Sequence, residues 1–299
     1  MQEIWTIGRL LKWTVQYFTQ KGIESPRLDA EVLLARVLGR ERIYLYVHFD
    51  EPLEPAELAR YREAVKQRAL RVPVAYIIGE KEFMGLPFKV TADTLVPRPD
   101  TEILVQAAIE RLRALGRSAP RFADIGTGSG CICLSVLHFL PEAQADTVDI
   151  SAAARVVAEE NAAVLGASDR ITFHTGDLLA PLAGRSYDAI LSNPPYIPDR
   201  DLAALAPEVR LKEPRTALAG GADGLDFYRR LTAGAPALLH DGGFLAVEVG
   251  IHQAAAVAAL AAAFSRTEIL KDYNGIERVV GAWKERKEKE ALIRQRFLS

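Results

Sequence analysis

Cysteine is scarce in this chain: of 299 residues only Cys131 and Cys133 carry a thiol. Their i,i+2 spacing puts them on different faces of a helix, so they read as small buried residues, not as a disulfide or a ligand pair. Such usage suits a reducing cytoplasm. The five histidines (His48, His138, His174, His240, His252) form no metal-binding spacing, and no metal site is expected. Neither charge dominates, since 37 Lys and Arg stand against 39 Asp and Glu. A global basic field for nucleic acid is therefore absent, and direct DNA binding is not expected. No apolar run approaches the roughly 20 residues that cross a bilayer, and residues 1–30 lack the pattern of a signal peptide. The expectation is a cytoplasmic monomer without a membrane partner. Internal repeats and low-complexity blocks are missing too. What is present, 49% hydrophobic and 25% charged residues, is ordinary for a globular chain of one or two domains.

Residues 1–72 read as a helical unit. Trp5, Leu10, Leu11, Val15 and Phe18 recur at helical spacing up to Gly22. Ser25-Pro26 has the form of an N-cap and a first-turn proline, and Leu28, Val32, Ala35 and Leu38 supply an apolar stripe that Gly39 closes. A further helix starts near Pro55 with Leu58, Tyr61, Val65 and Ala69. This unit is either part of a partner-binding cleft or a structural cap. Residues 73–100 form a linker, with two short strands over residues 82–90 around a Gly/Pro turn. Arg98 is held between Pro97 and Pro99, as an ion pair that holds the cleft or as a solvated charge. A helix follows at about Thr101.

From Arg121 strands and helices alternate, the mark of a parallel sheet with helices on both faces. Strands are expected near 121–125, 145–150, 171–174, 187–192, 243–249, 267–272 and 276–283. Helices are expected around 130–139, 153–165, 226–239 and 252–264. Tyr273-Asn274-Gly275 is a turn, so the last two strands form an antiparallel hairpin. Residues 284–299 are a mixed-charge tail.

The chain's chemistry concentrates at strand ends. The strand at 187–192 is stopped by Pro194-Pro195, which lack N–H donors. Asn193 before them is pushed to an extended geometry, at the carboxyl end of a strand, where open α/β sheets bind ligands. Its amide oxygen and the Pro194 carbonyl offer two acceptors for the two hydrogens of a planar –NH2 group, with Tyr196 to stack on that plane. Asn193, Pro194, Pro195 and Tyr196 are thus the candidate substrate residues, Asn193 and Pro194 the catalytic ones. The sequence Asn-Pro-Pro-Tyr resembles the signature of methyltransferases acting on amino nitrogens of adenine, guanine or glutamine.

The first strand of the sheet ends in Asp124-Ile125 and a loop of Gly126, Thr127, Gly128, Ser129 and Gly130. Its G-x-G-x-G spacing is one residue shorter than the dinucleotide fingerprint. S-adenosylmethionine has no pyrophosphate to cradle, so the loop need only wrap its methionine portion. Asp149, ending the second strand, is placed to accept from both ribose hydroxyls. Asp177 and Leu178, after the third, are candidates for the adenine amino group and ring face. Asn193 borders the same site.

These residues and their surroundings resemble the HemK/PrmC family of protein-glutamine methyltransferases, which modify peptide chain release factors. The resemblance includes Pro73-Val74-Ala75-Tyr76, Phe83-Met84-Gly85, Val96-Pro97-Arg98-Pro99-Asp100-Thr101-Glu102, Asp124 to Gly130, Glu213-Pro214, Gly220-Gly221, Asp223-Gly224-Leu225, Glu248-Val249-Gly250 with Gln253, and Gly275-Ile276-Glu277-Arg278-Val279. Asp100 stands where glutamate is more usual, Glu277 where aspartate is, and Leu178 where some members have tryptophan. The resemblance implies a class I methyltransferase fold, a doubly wound seven-stranded α/β sheet with a C-terminal antiparallel hairpin. It divides the chain into a helical substrate-binding domain (1–72), a β-hairpin linker (73–100), an S-adenosylmethionine-binding domain (101–283) and the tail. The implied reaction methylates the side-chain nitrogen (N5) of the glutamine in a release factor's Gly-Gly-Gln motif, leaving S-adenosylhomocysteine. A ribosomal-protein glutamine methyltransferase shares nearly every motif, and a nucleic-acid amino-methyltransferase is the more distant alternative.

Overall fold

A computed structural model describes residues 4–285; the rest of the charged tail lies outside the described residues. Helix α1 (Ile7–Gln20) opens on Thr6, whose hydroxyl accepts from the Arg9 N–H. Helix α2 (Pro26–Leu38) begins on a proline whose missing donor costs nothing in a first turn. It ends at Gly39 with φ 63°, the left-handed cap that glycine takes without strain. Ser25 stands at the expected N-cap position, but its hydroxyl makes no capping bond. The short helix α3 (Arg42–Val47), too brief to show a period, was not expected. Helix α4 (Pro55–Ala69) starts where the Glu57 carboxylate accepts the Glu54 N–H at 2.9 Å. A five-residue helix α5 (Val74–Ile78) precedes strands β1 (Glu80–Phe83) and β2 (Leu86–Lys89), which pair as a two-stranded sheet.

The remaining elements are α6 (Glu102–Ala114), β3 (Arg121–Ile125), α7 (Cys131–Phe139), β4 (Gln144–Asp149), α8 (Ala152–Val164), β5 (Ile171–Thr175), β6 (Tyr187–Ser192), α9 (Pro207–Lys212), α10 (Asp226–Leu238), β7 (Leu239–Glu248), α11 (Ala254–Leu260), β8 (Arg266–Lys271) and β9 (Glu277–Trp283). Among the described residues, those up to Glu80 together with Ala206–Lys212 form one compact unit and the others a second.

In the first unit Ile7, Phe18, Leu33, Leu34, Leu45 and Tyr61 build the core. The stripe expected on α2 is corrected in part: Ala35 is buried and Val32 and Leu38 are half-buried, but Leu28 is 45% exposed, and Ala30, Leu33 and Leu34 are buried as well. The reason is electrostatic. Asp29 and Glu31 share the buried side because partners meet them there, Arg68 with Asp29 at 2.6 Å and Arg42 with Glu31 at 2.7 Å. Acidic residues at interior positions disguise the true face. Arg68 also reaches Glu208 on α9 at 2.9 Å.

The second unit carries a seven-stranded sheet in the order β5-β4-β3-β6-β7-β9-β8. Pairings from β5 through β7 are parallel, and β9 runs antiparallel to both β7 and β8. Alternation along the strands fills two cores. Phe122, Ala189, Leu191, Phe244 and Ala246 pack with α6 and α7, whereas Ala123, Ile125, Leu245 and Val247 pack with α10 and α11. The expected hairpin turn stands, with Asp272 accepting the Asn274 and Ile276 N–H groups and Gly275 at φ 80°. β7 begins earlier than its apolar run because Tyr187 pairs with Leu239 before an irregularity in register. Chain order runs β3-β4-β5 outward and then crosses back to β6 beside β3. That reversal opens a crevice at the carboxyl ends of β3 and β6.

Candidate active site

The loop after β3 turns back on its own strand pair. Gly126 and Thr127 donate to the Val148 carbonyl at 2.8 and 3.2 Å, and Gly126, Gly128 and Gly130 all have positive φ. A Cβ on Gly126 would meet nothing nearer than the Asn193 carbonyl at 3.9 Å, and one on Gly128 nothing within 4 Å. The space these glycines leave open is a cavity of about 430 Å³, walled by the loop, Asp149, Leu178, Asn193 and the segment around Arg98. That volume lies in the range of small-molecule sites.

Asp149 is fixed by two backbone donors, Gly128 N–H to Oδ2 and Ser151 N–H to Oδ1, each 2.8 Å. Each oxygen keeps a further lone pair for a ligand hydroxyl. Asp124, fully buried, has no closed hydrogen bond on either oxygen, although the Cys133 N–H and thiol face it. Burial pushes its carboxyl up to about 7. The Ser129 hydroxyl is also unpartnered. An uncompensated carboxyl behind a glycine loop suits a ligand that brings a positive charge there. Both thiols are free; Cys133 is buried, Cys131 is half-buried and borders the cavity, and burial pushes the Cys131 thiol up to about 12.

Asp177 and Leu178 both reach the cavity wall. Asp177 Oδ2 accepts from Arg230 at 2.5 Å in an exposed pair, and Leu178 adopts φ 47°, unusual for a branched side chain.

Asn193, Pro194 and Pro195 line the cavity. Ser192 Oγ donates to the Ile125 carbonyl at 2.6 Å and ties β6 to β3 just before them. The Asn193 amide is oriented: Nδ2 donates to Thr101 Oγ1 at 3.1 Å. Gly130 and Tyr196 are the expected residues that do not reach the cavity wall; Gly130 serves the loop as the left-handed cap of α7, and Tyr196 points elsewhere. Its ring packs into the second core cluster and its hydroxyl faces Glu248, because Gln253 Nε2 holds the Tyr196 carbonyl at 2.9 Å and turns the side chain inward. Beyond it the chain is pinned again, Ile197 N–H to Leu218 O at 3.0 Å and Gly220 N–H to Ile197 O at 2.8 Å. Gly220 and Gly224 sit so close that a Cβ would meet Tyr196 backbone atoms at 2.8 and 2.4 Å.

The Arg98 alternatives resolve to the ion pair: Arg98 meets Glu213 at 2.5 Å, and Glu213 also accepts the Val96 N–H at 3.3 Å. Asp100 pairs with Arg278 at 2.8 Å. Three residues with structural consequences for the site escape sequence reasoning. They are Thr101, Glu248 behind it, and Asn161, whose Nδ2 donates to the Ser129 carbonyl at 2.8 Å while its oxygen takes the Lys89 N–H. Asn161 thus binds β2 to the glycine loop. Only the family stretches around Thr101 and Glu248 gave any signal.

Comparison with known proteins identifies relatives of nearly the whole chain. Residues 9–79 match the PrmC N-terminal domain and residues 100–221 the methyltransferase small domain. A release factor glutamine methyltransferase of Geobacter sulfurreducens is 49% identical over 284 residues, 93% of this chain and 97% of that protein. Those of Moorella thermoacetica and Bacillus subtilis are 45% and 40% identical, each over 93% of this chain and over 99% and 97% of their own lengths. Among solved structures, a methyltransferase from Pyrococcus furiosus superposes with a TM-score of 0.50 at 16% identity, covering 74% of this chain and 99% of that one, and shares the fold. No helix among the described residues is long and apolar enough to cross a membrane. The chain belongs to the release factor glutamine methyltransferase family.

Proposed function

We propose that this protein transfers a methyl group from S-adenosylmethionine to the side-chain amide nitrogen of the glutamine in a release factor's Gly-Gly-Gln motif, in the cytoplasm. The observation that carries the reading is the Asn193 amide, tied down through its nitrogen by Thr101 and left with its oxygen for a partner at the cavity. When bound, S-adenosylmethionine supplies an electrophilic methyl on a sulfonium. Gly126, Thr127, Gly128, Ser129 and Gly130 would hold its amino-acid end, Asp149 its ribose hydroxyls, and Asp177 with Leu178 its adenine.

An amide nitrogen is a poor nucleophile because its lone pair is delocalised into the carbonyl. Asn193 Oδ1 and the Pro194 carbonyl accept the two N–H groups of the substrate amide and orient its nitrogen toward the methyl. Orientation of this kind can lower a barrier by roughly 7–11 kcal/mol in ideal geometry. No base is required before attack, since the product nitrogen loses its proton readily. Tyr196 serves as an anchor of the turn that presents Asn193.

The test is methyl transfer from labelled S-adenosylmethionine to purified release factor, its Gly-Gly-Gln→Gly-Gly-Ala variant, ribosomal proteins and DNA, with the label located by peptide mass spectrometry. Label confined to the release factor's glutamine is the expected result. Label on ribosomal protein or DNA would overturn the substrate assignment.

A further inference from the structure

Behind the cavity, Asn193, Thr101 and Glu248, side chains from three separate segments, come together. Thr101, just ahead of α6, accepts from Asn193 Nδ2. Its hydroxyl and that of Tyr196 face the carboxyl of Glu248, the last residue of β7. Glu248 is 2% exposed, and its Oε2 has no hydrogen-bond partner. Burying a carboxyl so incompletely satisfied is costly, and an apolar side chain of similar volume would fill the space without that penalty. Folding alone does not account for it.

Hydrogen-bond direction gives it a use. A hydroxyl has one proton. When Thr101 spends that proton on Glu248, only lone pairs remain for Asn193, and only Nδ2 can meet them. Oδ1 must then turn away from Thr101. Were Thr101 free to donate to Asn193 instead, the amide could flip and present its own –NH2 to the substrate –NH2, donor against donor.

We propose that Glu248 is a positioning residue which, acting through Thr101, fixes the Asn193 amide with its oxygen toward the substrate nitrogen. The inference rests on the reaction assigned above. Asp100, Arg278, Tyr196, Tyr228 and Cys131 are the other ionisable groups around this carboxyl. Burial pushes Glu248 up to about 7. The ionised form accepts only and sets the direction of the chain; the protonated form can donate to Thr101 and releases it.

The experiment compares wild type, Thr101→Val, Thr101→Ser, Glu248→Gln and the Thr101→Val/Glu248→Gln double variant for kcat, KM and S-adenosylmethionine Kd across pH. The expected result is that Thr101→Val and Glu248→Gln each lower kcat by roughly 10- to 100-fold, as a misaligned reacting group does. KM and Kd should hold, and Thr101→Ser should recover most of the rate. Effects acting through one chain do not multiply, so the double variant should be no slower than Thr101→Val. The wild-type rise of kcat with pH around neutrality should vanish in Glu248→Gln. If Thr101→Val does not fold, the Thr101→Ser rate and the Glu248→Gln pH profile still decide. Wild-type kcat in Glu248→Gln, multiplying losses, or an unchanged pH profile would overturn the proposal. A wild-type protein that labels no release factor would instead overturn the assigned reaction, and this inference with it.

Discussion

Gly128 and Asp149 are joined from the ends of neighbouring strands, the Gly128 N–H donating to Asp149 Oδ2 at 2.8 Å. The carboxylate therefore has two tasks, shaping the glycine loop and offering its remaining lone pairs to a ligand.

Removing it should show both. Asp149→Ala is expected to weaken S-adenosylmethionine binding by roughly 10- to 100-fold, the worth of one or two charge-assisted hydrogen bonds. Asp149→Asn, which keeps one acceptor, should fall between. Isothermal calorimetry measures this, and wild-type affinity in the alanine variant would contradict it.

Asn193→Ala separates binding from chemistry. The loop and Asp149 stay in place, so cofactor affinity should persist while turnover drops on the order of 10²- to 10³-fold, as when a preorganised polar group is removed from a reacting centre. A variant that methylates at the wild-type rate would exclude the orienting role.

Asp124 makes the fold pH-sensitive. Its carboxyl rises from 3.8 to about 7 through burial, with Asp149 adding to the shift. Between those values the folded state binds more protons than the unfolded one, so stability is fullest below about 3.8 and is lost as pH rises through about 7. The loss is about 4 kcal/mol at most. Asp124→Asn should flatten the fall in Tm between pH 5 and pH 8 of the ligand-free protein, measured by scanning calorimetry. An unchanged slope would refute it.

Glu213 is buried and Arg98 is its charge partner, with 38% of the Arg98 side chain exposed. Arg98→Ala strands a buried carboxylate, at an expected cost of about 1–3 kcal/mol once solvent screening of the arginine is allowed for. Burial already raises the Glu213 pKa despite Arg98. Without the arginine it rises further, so denaturant melts should show a larger loss at pH 8 than at pH 5. Adding Glu213→Gln should recover stability, and a pH-independent loss would count against this account.

The parts of the site readable in advance are those that local chemistry marks. Glycines at a strand end, an aspartate closing the next strand and a proline pair after an asparagine each carry a conformational signature within a few residues. Thr101, Glu248 and Asn161 carry none. Their meaning arises only when the sheet brings together residues far apart in the chain, as Asn193 meets Thr101 and Asn161 meets Lys89. Tyr196 shows the opposite difficulty. An aromatic beside a binding motif suggests stacking, and only the distant Gln253 reveals that its backbone is held with the ring turned inward. On α2, Asp29 and Glu31 concealed the core face because Arg68 and Arg42, which meet them, lie on other helices, although Glu31 also pairs with Arg27 one turn earlier.

The clamp after the Asn193 turn has a consequence for how the chain tolerates change. Ile197 bonds to Leu218, and Asp199 N–H to the Gly221 carbonyl at 2.9 Å, so the chain leaves and re-enters the fold through a zipped neck. Once a loop's ends are fastened, each doubling of its length costs only about 0.6 kcal/mol. The stretch 200–205 can therefore lengthen or drift in sequence while Asn193 stays in register with the glycine loop. Changes there that spare the buried Leu202 should leave the Asn193 turn where it is, so length and composition can vary on one side of the neck without disturbing the other.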